Sequence, residues 1–119
     1  MIQDKMIQKL LHKEIPGLKD NEQAHGNIAG CINAFTQHTA ELIEQGELED
    51  IGRCFQIADQ LLSRGSDKIR SMVIVEFMAF IFPLFKKEES RMARVKALLK
   101  DNLLEQYQHS QLMDPGEWF

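Results

Sequence analysis

At 119 residues and 13.7 kDa the chain is long enough for one domain and leaves little room for a second. Hydrophobic residues at 44% and charged residues at 27% exclude a disordered chain, and a core of this size folds without needing a metal or a disulfide. A net charge of −4 with a pI near 5.5 argues against a nucleic-acid binder, which carries a basic excess, and leaves room for a basic protein partner.

Five helical segments are predicted in chain order, with no strand signal among them. The first covers about residues 2–13, with Ile2, Met6, Ile7, Leu10 and Leu11 on one stripe. It ends at Ile15-Pro16-Gly17, because proline disfavours helix in the residue before it and glycine permits a reversal. Residues 19–26 are polar and read as a loop. The second helix covers about 27–45 with Asn27 as N-cap and Gly46 in the left-handed position after it. The third, about 47–64, carries Leu48, Ile51, Cys54, Phe55, Ala58, Leu61 and Leu62 and is expected to end at Gly65 in the same way.

The run Leu42-Ile43-Glu44-Gln45-Gly46 parallels Leu61-Leu62-Ser63-Arg64-Gly65 at an offset of 19 residues. Two origins fit: α-solenoid repeats, or short helices of a bundle that stop alike. The fourth helix starts at Ser66-Asp67 and runs to about Phe82 or Phe85, where Pro83 kinks or closes it. From Met72 onward it is apolar nearly all round, which predicts a helix at the centre of the fold, covered on several sides. Its 14-residue apolar run, Met72 to Phe85, is interrupted by Glu76 and Pro83 and is too short to cross a bilayer. The fifth helix covers about 87–108, and the tail from His109 holds the turn signal Asp114-Pro115-Gly116 before Trp118 and Phe119. The expected architecture is all-α: about five antiparallel helices in a compact bundle or short α-solenoid-like array around a buried fourth helix, with residues 1–119 as a single helical domain.

No catalytic, metal or cofactor motif is legible. His12, His25, His38 and His109 form no HExxH and stand beside no cysteine at zinc-ligand spacing. His38 and Glu41 share a face of the second helix, but the glutamate–histidine order is reversed from a di-iron motif. Cys31 and Cys54 both fall on buried faces, as core thiols or as a disulfide pair. Glu76, alone among apolar residues, calls for a partner, with Arg53, Arg70 and His38 as choices; it is either a paired core carboxylate or a functional one lining a cleft.

Charge is more informative. Residues 41–59 carry Glu41, Glu44, Glu47, Glu49, Asp50 and Asp59 against Arg53, a balance of −5, while residues 86–100 carry six cations against Glu88 and Glu89, a balance of +4. Acids concentrated round one inter-helix turn are the arrangement that steers a basic partner, although charge runs more often are solvated faces. The terminal Trp118 and Phe119 are a second candidate contact, exposed for a partner or tucked onto the core. The partner-binding candidates are therefore Glu41, Glu44, Glu47, Glu49, Asp50, Asp59, Trp118 and Phe119. A homodimer is allowed by the apolar excess of helix four and the terminal aromatics.

The segment Leu42 to Phe80 resembles small helical immunity proteins of bacterial toxin systems, including those of contact-dependent growth inhibition. The resemblance lies in Gly46 followed by Glu49-Asp50-Ile51, then Cys54-Phe55-Gln56-Ile57, Leu61-Leu62, and Ile69 to Phe77. It covers about a third of the chain. It implies a cytoplasmic protein that is not an enzyme and that neutralises a cognate toxin by occluding its active site; an acidic patch fits a basic nuclease toxin. The runner-up is a helical adaptor or regulatory module with no toxin partner. No secretion signal is visible at the first residues, so cytoplasmic residence is the expectation.

Overall fold

A computed structural model describes residues 1–18, 27–86 and 90–112. Among the described residues there are six helices and no strand. They are α1 (Ile7–Glu14), α2 (Ile28–Gln45), α3 (Leu48–Arg64), a composite α4 beginning at Asp67, α5 (Ser90–Lys96) and α6 (Asp101–Leu112). The all-α expectation stands, with six helices among the described residues where about five were expected.

Local chemistry explains most boundaries. The Asn27 side chain accepts from the Ala29 N–H at 3.0 Å and starts α2. Its end is a Schellman turn: Gly46 sits at φ 74°, its N–H bonds the Ile43 carbonyl, and the Glu47 N–H reaches back to Leu42. Ser66 caps α4 by accepting from the Ile69 N–H at 3.2 Å.

Gly65 ends α3 differently from Gly46. It is extended, at φ −73° and ψ 159°, so the apparent repeat of Leu42–Gly46 in Leu61–Gly65 breaks at its last residue. Glycine is needed here for space: a Cβ would overlap the Leu61 carbonyl oxygen and come within 2.8 Å of Ile69 Cγ2. The N-terminal segment lies against this turn. Ile2 forms an isolated parallel bridge with Gly65, donating to the Arg64 carbonyl at 2.7 Å and accepting from the Ser66 N–H at 2.9 Å. The Ser66 hydroxyl donates to the Asp4 carboxylate. The first helix therefore does not begin at residue 2; a 3-10 turn, Asp4–Met6, leads into α1.

Helix α4 is α-helical over Asp67–Met72, π-helical over Val73–Met78, α-helical again over Ala79–Ile81, and closed by a 3-10 turn over Phe82–Lys86 that contains Pro83. Three successive β-branched residues, Val73 to Val75, crowd an α-helical turn, and the wider i→i+5 turn relieves them. The helix packs on α2, where Phe35 and Phe77, both fully buried, stack with centroids 5.0 Å apart. It is not covered on every side. Ile74 is 44% exposed, Val75 64% and Phe80 45%, so the expected central helix presents an apolar face to solvent.

The predicted fifth helix is two helices. Asp101 takes φ 53° at the break, and Asp101-Asn102 are residues that favour caps over helix interiors. Met92, Val95, Leu99 and Leu103 remain buried across the break. Helix α6 lies on α3, and Tyr107 meets Phe82 and Phe85 edge-on, at 5.1 Å and 5.5 Å, beside Phe55. The buried side chains form one cluster.

The two glycines predict different costs. Gly65→Ala is expected to destabilise by about 2–3 kcal/mol through overlap, and Gly46→Ala by about 1 kcal/mol through its left-handed backbone. Urea midpoints at constant m measure both; a Gly65→Ala cost no larger than that of Gly46→Ala would contradict the packing assigned to the α3–α4 turn.

Candidate functional site

The Schellman turn between α2 and α3 is the frame for the acidic residues. Glu41 and Glu44 lie on the last turns of α2, Glu47 at the junction, and Glu49 and Asp50 in the first turn of α3; all five are exposed. Glu49 and Asp50 also complement the positive end of the α3 dipole, so part of their presence is explained by the helix itself.

The acids do not share one face. Glu49, Asp50 and Asp59 line a half-open cleft of about 780 Å³, together with Glu14 from α1, Arg53 from α3, and Lys100 and Asp101 from the α5–α6 junction. Arg53 contacts Glu14 at 3.5 Å and is 61% exposed, so the pair contributes little to stability. Glu41 borders a separate hollow of about 310 Å³ with Gln37, His38 and Gln45. Glu76 does not gain Arg53 as a partner; it stands half-buried at the rim of a third hollow, of about 200 Å³, with Val75, Ala79 and Phe80.

Asp59 has a structural task. Its Oδ1 accepts the Leu103 N–H at 3.1 Å, so a carboxylate from α3 caps the start of α6, whose own first residue is the left-handed Asp101. That contact spans 44 positions, which no local pattern reveals. Trp118 and Phe119 lie outside the described residues, as do His25, Lys87, Glu88 and Glu89.

The cysteines sit in the core as thiols, with no disulfide between them. Burial is the main cause that pushes the Cys54 thiol above the 9.0 of an exposed one, partly offset by a hydrogen bond with Thr39. It therefore stays protonated at neutral pH and lacks the thiolate a nucleophile needs. Thr39 and Thr36 are buried and donate to the Phe35 and Ile32 carbonyls at 2.9 Å and 2.7 Å. Among the described residues no three His, Cys, Asp or Glu side chains come together as a metal site, and no helix is long and apolar enough to cross a membrane.

A family model described as a domain of unknown function, DUF7674, matches residues 8–114. The chain belongs to the DUF7674 family. The match takes in α2 to α6 whole, and with them the cleft and both hollows. No curated protein and no solved structure matches the chain.

Sequence reasoning missed Glu14, Lys100 and Asp101 as cleft residues, because three separate elements bring them together. It also missed the outward face of α4. The available signal was spacing: Ile74 and Ala79, and Val75 and Phe80, lie five apart, the hydrogen-bond span of a π-turn.

Asp59→Ala is expected to cost about 1 kcal/mol and to speed amide exchange at Leu103. Glu41→Ala, on an open helix surface, is expected to stay within about 0.5 kcal/mol. Equal stability of the two variants, with Leu103 exchange unchanged, would remove the capping role.

Proposed function

We propose that this protein works by binding another protein, that the partner is basic, and that it is no enzyme. One observation carries the reading: Glu41, Glu44, Glu47, Glu49 and Asp50 stand exposed about a single rigid turn, while Arg53, the one cation among residues 41–59, is turned to Glu14. Exposed like charges held near one another focus potential and accelerate encounter with an oppositely charged surface. The Schellman closure keeps them in a fixed arrangement, which lowers the ordering cost of binding.

In the form that the resemblance implies, the protein is a cytoplasmic immunity protein whose acidic surface covers the active site of a cognate toxin, a basic nuclease being the kind that fits. The second reading, a helical adaptor with no toxin partner, draws its support from the hollows that border α2.

The test is affinity capture from lysate of the source cells, followed by expression of the captured protein alone and together with this chain. The expected result is a basic protein bound at nanomolar affinity, released by salt, lost when Glu44, Glu47, Glu49 and Asp50 are changed to lysine, and toxic unless co-expressed with this chain. Capture unaffected by charge reversal would end the acidic-surface reading. A charge-dependent partner that harms no cell would leave the adaptor.

A further inference from the structure

The two hollows along α2 share a wall. Asn33 and Gln37 border both the 310 Å³ hollow at Glu41, which α2 forms with Gly17 and Leu18, and the 200 Å³ hollow between α2 and α4. Asn33, Gln37 and Glu41 stand four residues apart in succession, one stripe of α2 about 12 Å long. The far end of the groove is apolar, formed by Val75, Ala79 and Phe80, and the acidic Glu76 stands beside them. Five residues apart, Val75 and Phe80 would lie about 140° apart round an α-helix. The π-turn of Val73–Met78 brings them to one side instead.

Charge decides what such a groove accepts. The Glu76 carboxylate is half-buried and, among the described residues, meets no hydrogen-bond or ion-pair partner. An uncharged apolar occupant would strip water from this carboxylate and give nothing back. A second copy on a two-fold axis would bring Glu76 towards its own counterpart, drawing like charges together as water is lost. A segment with an apolar stripe flanked by cations meets both demands, seating side chains on the exposed Val75 and Phe80 while neutralising Glu76 and Glu41.

We propose that the groove between α2 and α4, continued along α2 to Glu41, is the docking site for a basic amphipathic helical segment of a partner protein. Its apolar side chains rest on Val75, Ala79 and Phe80, and its lysines or arginines reach Glu76 and Glu41, with the Asn33 and Gln37 amides between them. The proposal rests on the reading of a basic protein partner and adds the place and form of its contact, apart from the acids at the start of α3.

The probe is a labelled synthetic peptide of leucine and lysine, about five helical turns long and patterned as an amphipathic helix. It is titrated with the full chain by fluorescence anisotropy, against a leucine–glutamate peptide of the same pattern. The lysine peptide is expected to bind and the glutamate peptide not to. Val75→Ser with Phe80→Ser should weaken binding at least about tenfold, and Glu41→Lys with Glu76→Lys should weaken it and remove most of its salt dependence. Glu49→Lys with Asp50→Lys, an equal change of net charge at the other surface, should weaken it less than the Glu41 and Glu76 reversal does. Circular dichroism and urea midpoints verify that the variants fold, the change at the half-buried Glu76 included.

No binding of the lysine peptide, equal binding of both peptides, or indifference to the Val75 and Phe80 changes overturns the proposal. Self-association of the free chain, abolished by those same changes, overturns it in favour of a second copy. Groove binding that persists while capture of a basic partner fails would remove the partner reading of the acidic turn alone. Peptide binding lost only on reversal of Glu49 and Asp50 would remove the groove alone.

Discussion

The stack of Phe35 on Phe77, at 5.0 Å and an interplanar angle of 12°, fixes how α2 and α4 face one another, and much of the surface follows from that contact. Both rings are fully buried, so the pair commits one side of α4 to the core. Val73, Ile69 and Ile81 share that commitment, each with no exposure. What remains of α4 has to point elsewhere. Because the chain passes Phe77 inside a π-turn, Val75 and Phe80 are left together on the opposite side, next to the α2 amides. An apolar stretch that would ordinarily be hidden becomes part of a groove.

A second constraint orders the other side of the molecule. Asp59 on α3 caps α6, and the aromatic group of Phe55, Phe82, Phe85 and Tyr107 holds the end of α4 against the same two helices. Together they close the fold round α3, whose first turn then carries Glu49 and Asp50 at the rim of a half-open cleft. The polar residues serve two purposes there. Asp59 and the caps of α2 and α4 hold the fold together, while Glu41, Glu47, Glu49 and Asp50 stand exposed.

How much of this could be read beforehand depended on whether the determining contact was local. Helices α2 and α3 were predicted to within a residue because Asn27, Gly46 and the 3.6-residue stripes lie inside the segments they delimit. The break at Asp101 is hidden by the stripe Met92, Val95, Leu98, Leu99, Asn102, Leu103 and Tyr107, which reads as one helix although Asp101 and Asn102 are poor helix formers. Gly65 and Gly46 look identical in sequence; only the packing of Ile69 and the Leu61 carbonyl distinguishes them. The error over α4 has the same origin, since hydrophobicity records what a residue would tolerate and not what covers it. Within the candidate surface, the acidic turn was legible from composition, whereas its division between a cleft and a groove depended on α1, α4 and α6 arriving from elsewhere in the chain.

The central claim is that α4 has one face committed to the core and one left free for binding. Its most direct measurement is the pair Phe77→Ala and Phe80→Ala in urea denaturation. With Phe77 fully buried and Phe80 at 45% exposure, the first is predicted to cost about 3–5 kcal/mol and the second under about 1 kcal/mol. Comparable losses at both positions would show that Phe80 is packed as deeply as Phe77, and would contradict an outward apolar face on α4.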